Sequence, residues 1–194
     1  MSREDKEMKA TEILMSEHRV IERVIASLEE AASRLSAGQV VRPGFFVDAA
    51  DFIKGFADGC HHKKEEGVLF TTMSACGVPV EGGPIGVMLS DHEQGRVYTL
   101  GMRQAAQALE SGDPSACEEL IANARGYASL LRNHILKEDH VLFPMANKVI
   151  PIDQQDDVYA GFERVEHEET GEGVHEKYLA LAEKLEKEMD LVRV

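Results

Sequence analysis

The chain contains no tryptophan, and only 6% of its residues are aromatic, so flat aromatic docking surfaces are scarce. Cysteine is sparse too. Cys60, Cys76 and Cys117 are odd in number and show no CxxC spacing, which argues against a disulfide framework. No apolar run approaches the ~20 residues that a membrane span needs, so no membrane partner is expected. Basic residues are in deficit: 21 Lys and Arg stand against 35 Asp and Glu, a net charge of −14. A field of that sign repels phosphate backbones, so no nucleic-acid partner is expected either. The opening MSREDKEMKATE is charged and lacks an apolar signal region, which, with the cysteine usage, predicts a cytoplasmic protein.

What is present is helical patterning. The 194 residues suit one domain or one domain with an appendage, and 43% hydrophobic residues suffice for a core. Gly- and Pro-rich stretches at residues 36–44, 74–84 and 111–115 interrupt the chain, with Pro114 placed to start a helix. Between them lie four segments without strand alternation. The first carries Leu14, His18, Ile21, Ile25, Leu28, Ala32 and Leu35 in alternating steps of four and three. The second carries Phe46, Ala50, Ile53, Ala57, His61, Glu65 and Val68, and the third Ile85, Met88, His92, Gly95, Thr99, Met102, Ala106 and Leu109. The fourth carries Leu120, Ala124, Tyr127, Leu131, His134, Glu138, Val141 and Met145. Each is the inward stripe of a packed helix. Short connections make neighbours antiparallel, so the pattern predicts an all-α, up-down four-helix bundle over residues 1–150.

Six residues interrupt these stripes where Leu or Ile is expected: His18, His61, Glu65, His92, His134 and Glu138. Unpartnered imidazoles and carboxylates on inward faces are costly, so the six need a common explanation. At ~1.5 Å per residue, an antiparallel order places all six in one layer, about 12–22 Å from the end where the chain enters. Two helices also repeat each other. Residues 61–70 read HHKKEEGVLF and residues 134–143 read HILKEDHVLF, aligning His61 with His134, Lys64 with Lys137 and Glu65 with Glu138. His and Glu four residues apart share a helix face one turn apart. Imidazole plus carboxylate suits iron, manganese or zinc. Four His and two Glu are too many for one tetrahedral ion and suit two ions with bridging carboxylates. Iron is favoured, because two redox-active ions with open positions can hold O2.

These residues also resemble a known family. The EH of residues 17–18, the HxxKEE of 61–66, the DHE of 91–93 and the HxxKED of 134–139 are similar to the motifs of the hemerythrin-like HHE cation-binding proteins, over roughly residues 8–148. The resemblance implies an antiparallel bundle with an oxo- or hydroxo-bridged di-iron centre. It carries over His18, His61, Glu65, His92, His134 and Glu138 as ligands, the two Glu as bridges. There are departures. Oxygen-carrying hemerythrins have a second His four residues after that of the third helix, where this chain has Arg96. They use His-x4-Asp on the fourth helix, which His134 and Asp139 fit, whereas the internal repeat favours Glu138. Four His rather than five point away from simple O2 transport, toward sensing, redox or iron handling.

Other residues carry weaker signals. His62 is rotated about 100° from His61 and falls outside the stripe, although with Glu66 it could mimic the pair. His140 is expected in solvent, Cys60 and Tyr127 in the core, and Lys64, Lys137 and Arg96 beside the carboxylates. Residues 151–194 read as a helical extension packed on the bundle: Asp153 looks like a cap for a helix through residue 169, Gly171 and Gly173 break it, and residues 174–191 resume it. A similar tail, with its FERVE and GVHEKY segments, occurs in a subgroup of the family. Glu163, His167 and His175 could supply an additional ligand, against the plainer reading of a solvated packing helix. The expected function is a di-iron protein binding O2, peroxide or NO for redox handling or sensing. The alternatives are iron storage, delivery or sensing without catalysis, and a zinc-stiffened structural bundle. The sequence assigns no redox or protein partner.

Overall fold

The computed structural model describes residues 10–171 and 173–190, without the side chains of residues 168–170. Residues 1–9 and 191–194, where the expectations about the chain start and the last turn of the tail fall, lie outside the described residues. Helix α1 is Ala10–Ser36. Helix α2 spans residues 43–75 and contains two π-helical segments, Ile53–His61 and Glu65–Leu69. Helix α3 is Pro84–Glu110. Helix α4 spans residues 117–149 and contains the π segment Glu138–Leu142. Helix α5, Ile152–Arg164, continues as a π segment through Val165–Thr170, and α6 is Val174–Glu188.

The breaks act as their chemistry predicts. Pro43 and Pro84 open α2 and α3, where a missing N–H costs nothing. Pro114 starts a 3-10 turn, Pro114–Ala116, ahead of α4, and Asp113 caps it by accepting from the Ser115 N–H at 3.0 Å. Gly171 and Gly173 take φ of +97° and +77° between α5 and α6, a region that L side chains avoid.

Helix α3 packs along α2 and α4, and α1 along α4, so sequential helices are neighbours in an up-down bundle. The core is divided. A larger apolar cluster includes Ile21, Ile25, Phe52, Ala57, Met102, Leu131 and Ile135. A smaller one, at the end where α1 begins, includes Leu14, Leu69, Phe70, Met88, Leu142 and Phe143. Each such buried Leu, Ile, Phe or Met side chain contributes about 1.5–3 kcal/mol. His18 lies between Leu14 and Ile21, and the other five stripe-breaking residues fall between the same two clusters.

The stripes depart from α-helical spacing at the π segments. A π turn holds an extra residue and shifts the register of the residues beyond it. Val141, expected inward, is 54% exposed, and Leu142 and Phe143 are buried instead. In α2 Val68 is half-buried while Leu69 and Phe70 are buried. Leu35, Leu109 and Met145, near the helix ends, are also only half-buried. Asp153 is not the cap of α5: Pro151 holds that position without a side-chain bond, and Asp153 lies in the first turn, where its charge suits the helix dipole.

The extension packs on the bundle. Ala182, Leu185 and Met189 join the larger cluster, Val158 and Phe162 the smaller. The Tyr178 hydroxyl approaches the α2 backbone at Gly55 so closely that a Cβ there would overlap it. Among the described residues, no helix is long and apolar enough to cross a membrane.

Candidate metal centre

All six stripe-breaking residues converge, each essentially inaccessible to solvent. His18 Nε2 lies 3.2 Å and His134 Nε2 3.1 Å from Glu138 Oε2. His61 Nε2 lies 3.4 Å from Glu65 Oε1, and His92 Nε2 3.4 Å from Glu65 Oε2. Glu65 thus offers one oxygen to each side, and Glu138 sits between His18 and His134. The donor atoms form two groups that share Glu65: His18, His61, Glu65 and Glu138; and His62, Glu65, His92 and His134.

His62 corrects the reading from spacing. It is buried, its ring stacks on His92 at 3.8 Å between centroids, and it belongs to the second group. The 100° rotation assumed α-helical geometry, but α2 is π-helical up to His61 and again from Glu65. A π turn rotates less per residue, so His61 and His62 both point inward. The histidine absent at Arg96 thus has a counterpart on α2, and the site holds five histidines.

The outer ring nitrogens show a pattern that stripe analysis missed. His61 Nδ1 donates to Glu17 at 2.8 Å, His92 Nδ1 to Glu66 at 2.7 Å, His134 Nδ1 to Asp91 at 3.3 Å, and His18 Nδ1 to Asp139 at 2.7 Å. Each carboxylate serves the histidine of the next helix: α1 serves α2, α2 serves α3, α3 serves α4, and α4 serves α1. The bonds form a closed ring around the bundle. Within α2, His62 Nδ1 donates to Asp58 at 2.9 Å. Each ring carboxylate is in turn held by a cation on the helix of the histidine it serves: Lys64 on Glu17, Arg96 on Glu66, Lys137 on Asp91 and Arg19 on Asp139. The motifs did carry a signal: Glu17, Glu66, Asp91 and Asp139 each adjoin a site residue in the chain.

A carboxylate can only accept, so each Nδ1 carries a proton, and in the neutral form of a ring that leaves a lone pair on Nε2 facing inward. The interior then collects acceptors with no donor. His18 Nε2, His61 Nε2 and both oxygens of Glu65 and of Glu138 are buried without a hydrogen-bond partner, and His92 Nε2 faces His134 Nε2 at 3.1 Å. Such crowding is costly unless positive charge enters. The titration tendencies agree. Burial opposes charge, yet Glu65 and Glu17 hold His61 well above the usual imidazole range, and Glu138 with Asp91 lifts His134 to about 9. Burial, with His92 alongside, keeps His62 well below that range and therefore neutral. Oxygen and imidazole donors with their Nδ1 atoms fixed by carboxylates fit metal ions of the iron, manganese or zinc type.

Of the remaining candidates, Cys60 and Tyr127 are buried, and His140 is exposed. Glu163 and His167 pair with each other at 3.6 Å on the exposed face of the extension, away from the centre. His175 comes within 4.8 Å of donor atoms of Glu17 and Cys60. The Lys64 ammonium already lies 2.5 Å from Glu17 there, so a cation has that place. Glu166 of the extension also reaches the centre's surroundings, 2.9 Å from Lys64 Nζ.

A four-helix bundle enclosing two overlapping histidine–carboxylate groups defines a cation-binding protein. The chain belongs to the hemerythrin HHE cation-binding domain family, whose model matches residues 9–146. It is also similar to an uncharacterized protein of Mycobacterium bovis and to uncharacterized proteins of two Mycobacterium tuberculosis strains. Each is 26% identical over 182 residues, covering 94% of this chain and 71% of the relative. No solved structure matches.

Proposed function

We propose that the protein is a non-haem di-iron protein that binds O2, peroxide or NO for redox handling or sensing. The observation that carries this reading is the convergence of unpartnered Nε2 and carboxylate acceptors into two groups sharing Glu65. One ion would be held by His18, His61, Glu65 and Glu138, the other by His62, His92, His134 and Glu65, with Glu138 placed to bridge. Two iron ions held there would supply reversible electron transfer and open positions for a small ligand. The chain's own contribution is orientation and exclusion of water. The ring of carboxylates fixes every imidazole, and Phe70 and Phe143, stacked on His92 and His18, close one side with apolar surface. A surface concavity of about 420 Å³ lined by Lys54, Asp58, Gly59, Arg96, Thr99, Leu100 and Arg103 lies over the carboxylate that holds His62, the side from which a small ligand would approach.

A second reading, iron sensing through stability, is favoured by the same buried acceptors, because a site assembled only by folding makes metal binding and folding one equilibrium. Metal analysis with a visible spectrum, recorded before and after reduction and air exposure, tests the first reading. Two irons per chain and a near-ultraviolet band that changes reversibly with oxygen are expected. One zinc, or no metal, with a flat spectrum would overturn it. If iron is bound but the spectrum ignores oxygen, and chelation unfolds the protein, the sensing reading takes its place.

A further inference from the structure

The ring around the centre is closed to solvent at one of its four cation links. Arg19, Arg96 and Lys137 keep 54%, 33% and 41% of their side chains exposed, whereas Lys64 has none. The C-terminal extension covers it. The Lys64 ammonium lies 2.5 Å from Glu17 Oε1 and 2.9 Å from Glu166 Oε2, and the other Glu17 oxygen accepts from His61 Nδ1 at 2.8 Å. One unbroken polar path therefore runs from the extension to an imidazole of the centre. Nearby contacts fix its outer end: His175 packs on Phe56 and lies 3.7 Å from Glu166, and Tyr178 seats against Gly55. Lys137, the counterpart of Lys64 in the internal repeat, makes the matching bond to Asp91, with no second carboxylate on it among the described residues.

We propose that the extension is a latch on one of the two metal positions: Glu166 and Lys64 are positioning residues that hold Glu17 on His61 and so set how firmly the ion on the His18 and His61 side is retained. With Glu166 in place the ammonium donates to a carboxylate on either side and stays; without it, the donors it frees turn toward water and take Glu17 with them. When Glu166 leaves, Lys64 and Glu17 are free to turn outward, and His61 loses the bond that fixes its ring. The ion on the His62, His92 and His134 side is oriented through Asp58, Glu66 and Asp91, none of which is bonded to Glu166. Loss of the Glu166 link thus acts first on the ion at the His18 and His61 side.

This inference rests on the two-metal reading, and one experiment separates the two. The full-length protein is loaded with iron(II), its iron is counted, and release into excess ferrous chelator is followed with time. Fewer than two ions in the wild-type protein overturns the two-metal reading, and the latch with it. With two ions loaded, Glu166→Gln and Lys64→Met are each expected to speed release of one ion about tenfold, the scale of lost outer partners at metal sites, and leave the other within about twofold. Lys64→Arg should restore slow release. Lys137→Met should act on the other ion. Equal acceleration of both ions, no acceleration, or the same ion responding to Lys137→Met and Glu166→Gln overturns the latch. The melting temperature of metal-free Glu166→Gln is the structural control: selective release with unchanged melting supports positioning, and a large drop in melting with both ions lost overturns it.

Discussion

The two HxxKE segments make the same contacts in opposite surroundings. In α2, His61 and Glu65 face the centre, Lys64 holds the carboxylate that orients His61, and a π segment begins at Glu65. In α4, His134 and Glu138 face the centre, Lys137 holds the carboxylate that orients His134, and a π segment begins at Glu138. The repeat in sequence is a repeat in hydrogen bonding and backbone. The surroundings differ: the extension buries the lysine of the first segment and leaves that of the second 41% exposed. The same link is worth different amounts in the two places, because the strength of a charge pair depends on what water can reach.

The largest expected effect tests how far the two glutamates are equivalent. Glu65 offers its two oxygens separately to the two sides, whereas Glu138 presents one oxygen to both. On the two-ion reading, Glu65→Ala should therefore remove both ions, weakening uptake at least ~100-fold, beyond what loss of an outer partner does. Glu138→Ala should leave one ion bound. Metal counts on the two folded variants decide this; equal counts would make the segments interchangeable.

Next in size is the contrast between the lysines. Lys64→Met strips a buried charge from Glu17 and should destabilise the protein by about 3–5 kcal/mol. Lys137→Met removes a solvent-screened link and should cost no more than ~1 kcal/mol. Chemical denaturation of the metal-free proteins measures both, and equal costs would mean that burial by the extension adds nothing.

The bundle and its layer were legible in sequence because both rest on periodicity, and four of the five histidines and both glutamates follow from it. His62 was hidden because its exclusion assumed 100° per residue across a helix that turns π on either side of it. The same assumption sent Val141 inward and left Leu142 and Phe143 out. The carboxylate ring was half-visible: Glu17, Glu66, Asp91 and Asp139 adjoin site residues, but each serves a histidine on another helix, and spacing along one helix cannot say which. Glu166 meets Lys64 across 102 positions, a contact set by how the extension docks and not by any local pattern.

A smaller effect bears on that docking. Gly55 lets the Tyr178 hydroxyl approach the α2 backbone, and a methyl group there must displace it. Gly55→Ala should cost about 1–3 kcal/mol, the usual range for overpacking. It should also make the α2 side resemble the α4 side, by raising amide hydrogen exchange in α6 and leaving α3 and α4 unchanged. Exchange rising equally everywhere would show that the extension is not a separate covering layer.

The smallest effect concerns Arg19, which holds Asp139 from an exposed position on α1. Its role in the ring is that of Lys64, so a purely geometric view predicts equal costs for removing either. Solvation predicts otherwise. Water and salt replace an exposed guanidinium readily, and Asp139 keeps its bond from His18. Arg19→Ala should therefore cost ~0.2–1 kcal/mol, and the difference from the wild-type protein should fade at ~1 M salt, where screening acts within about 3 Å. The cost of Lys64→Met should persist at the same salt, because no ion reaches the buried link. Salt-independent loss in Arg19→Ala would put both links in one class and remove the reason for the extension to cover only one.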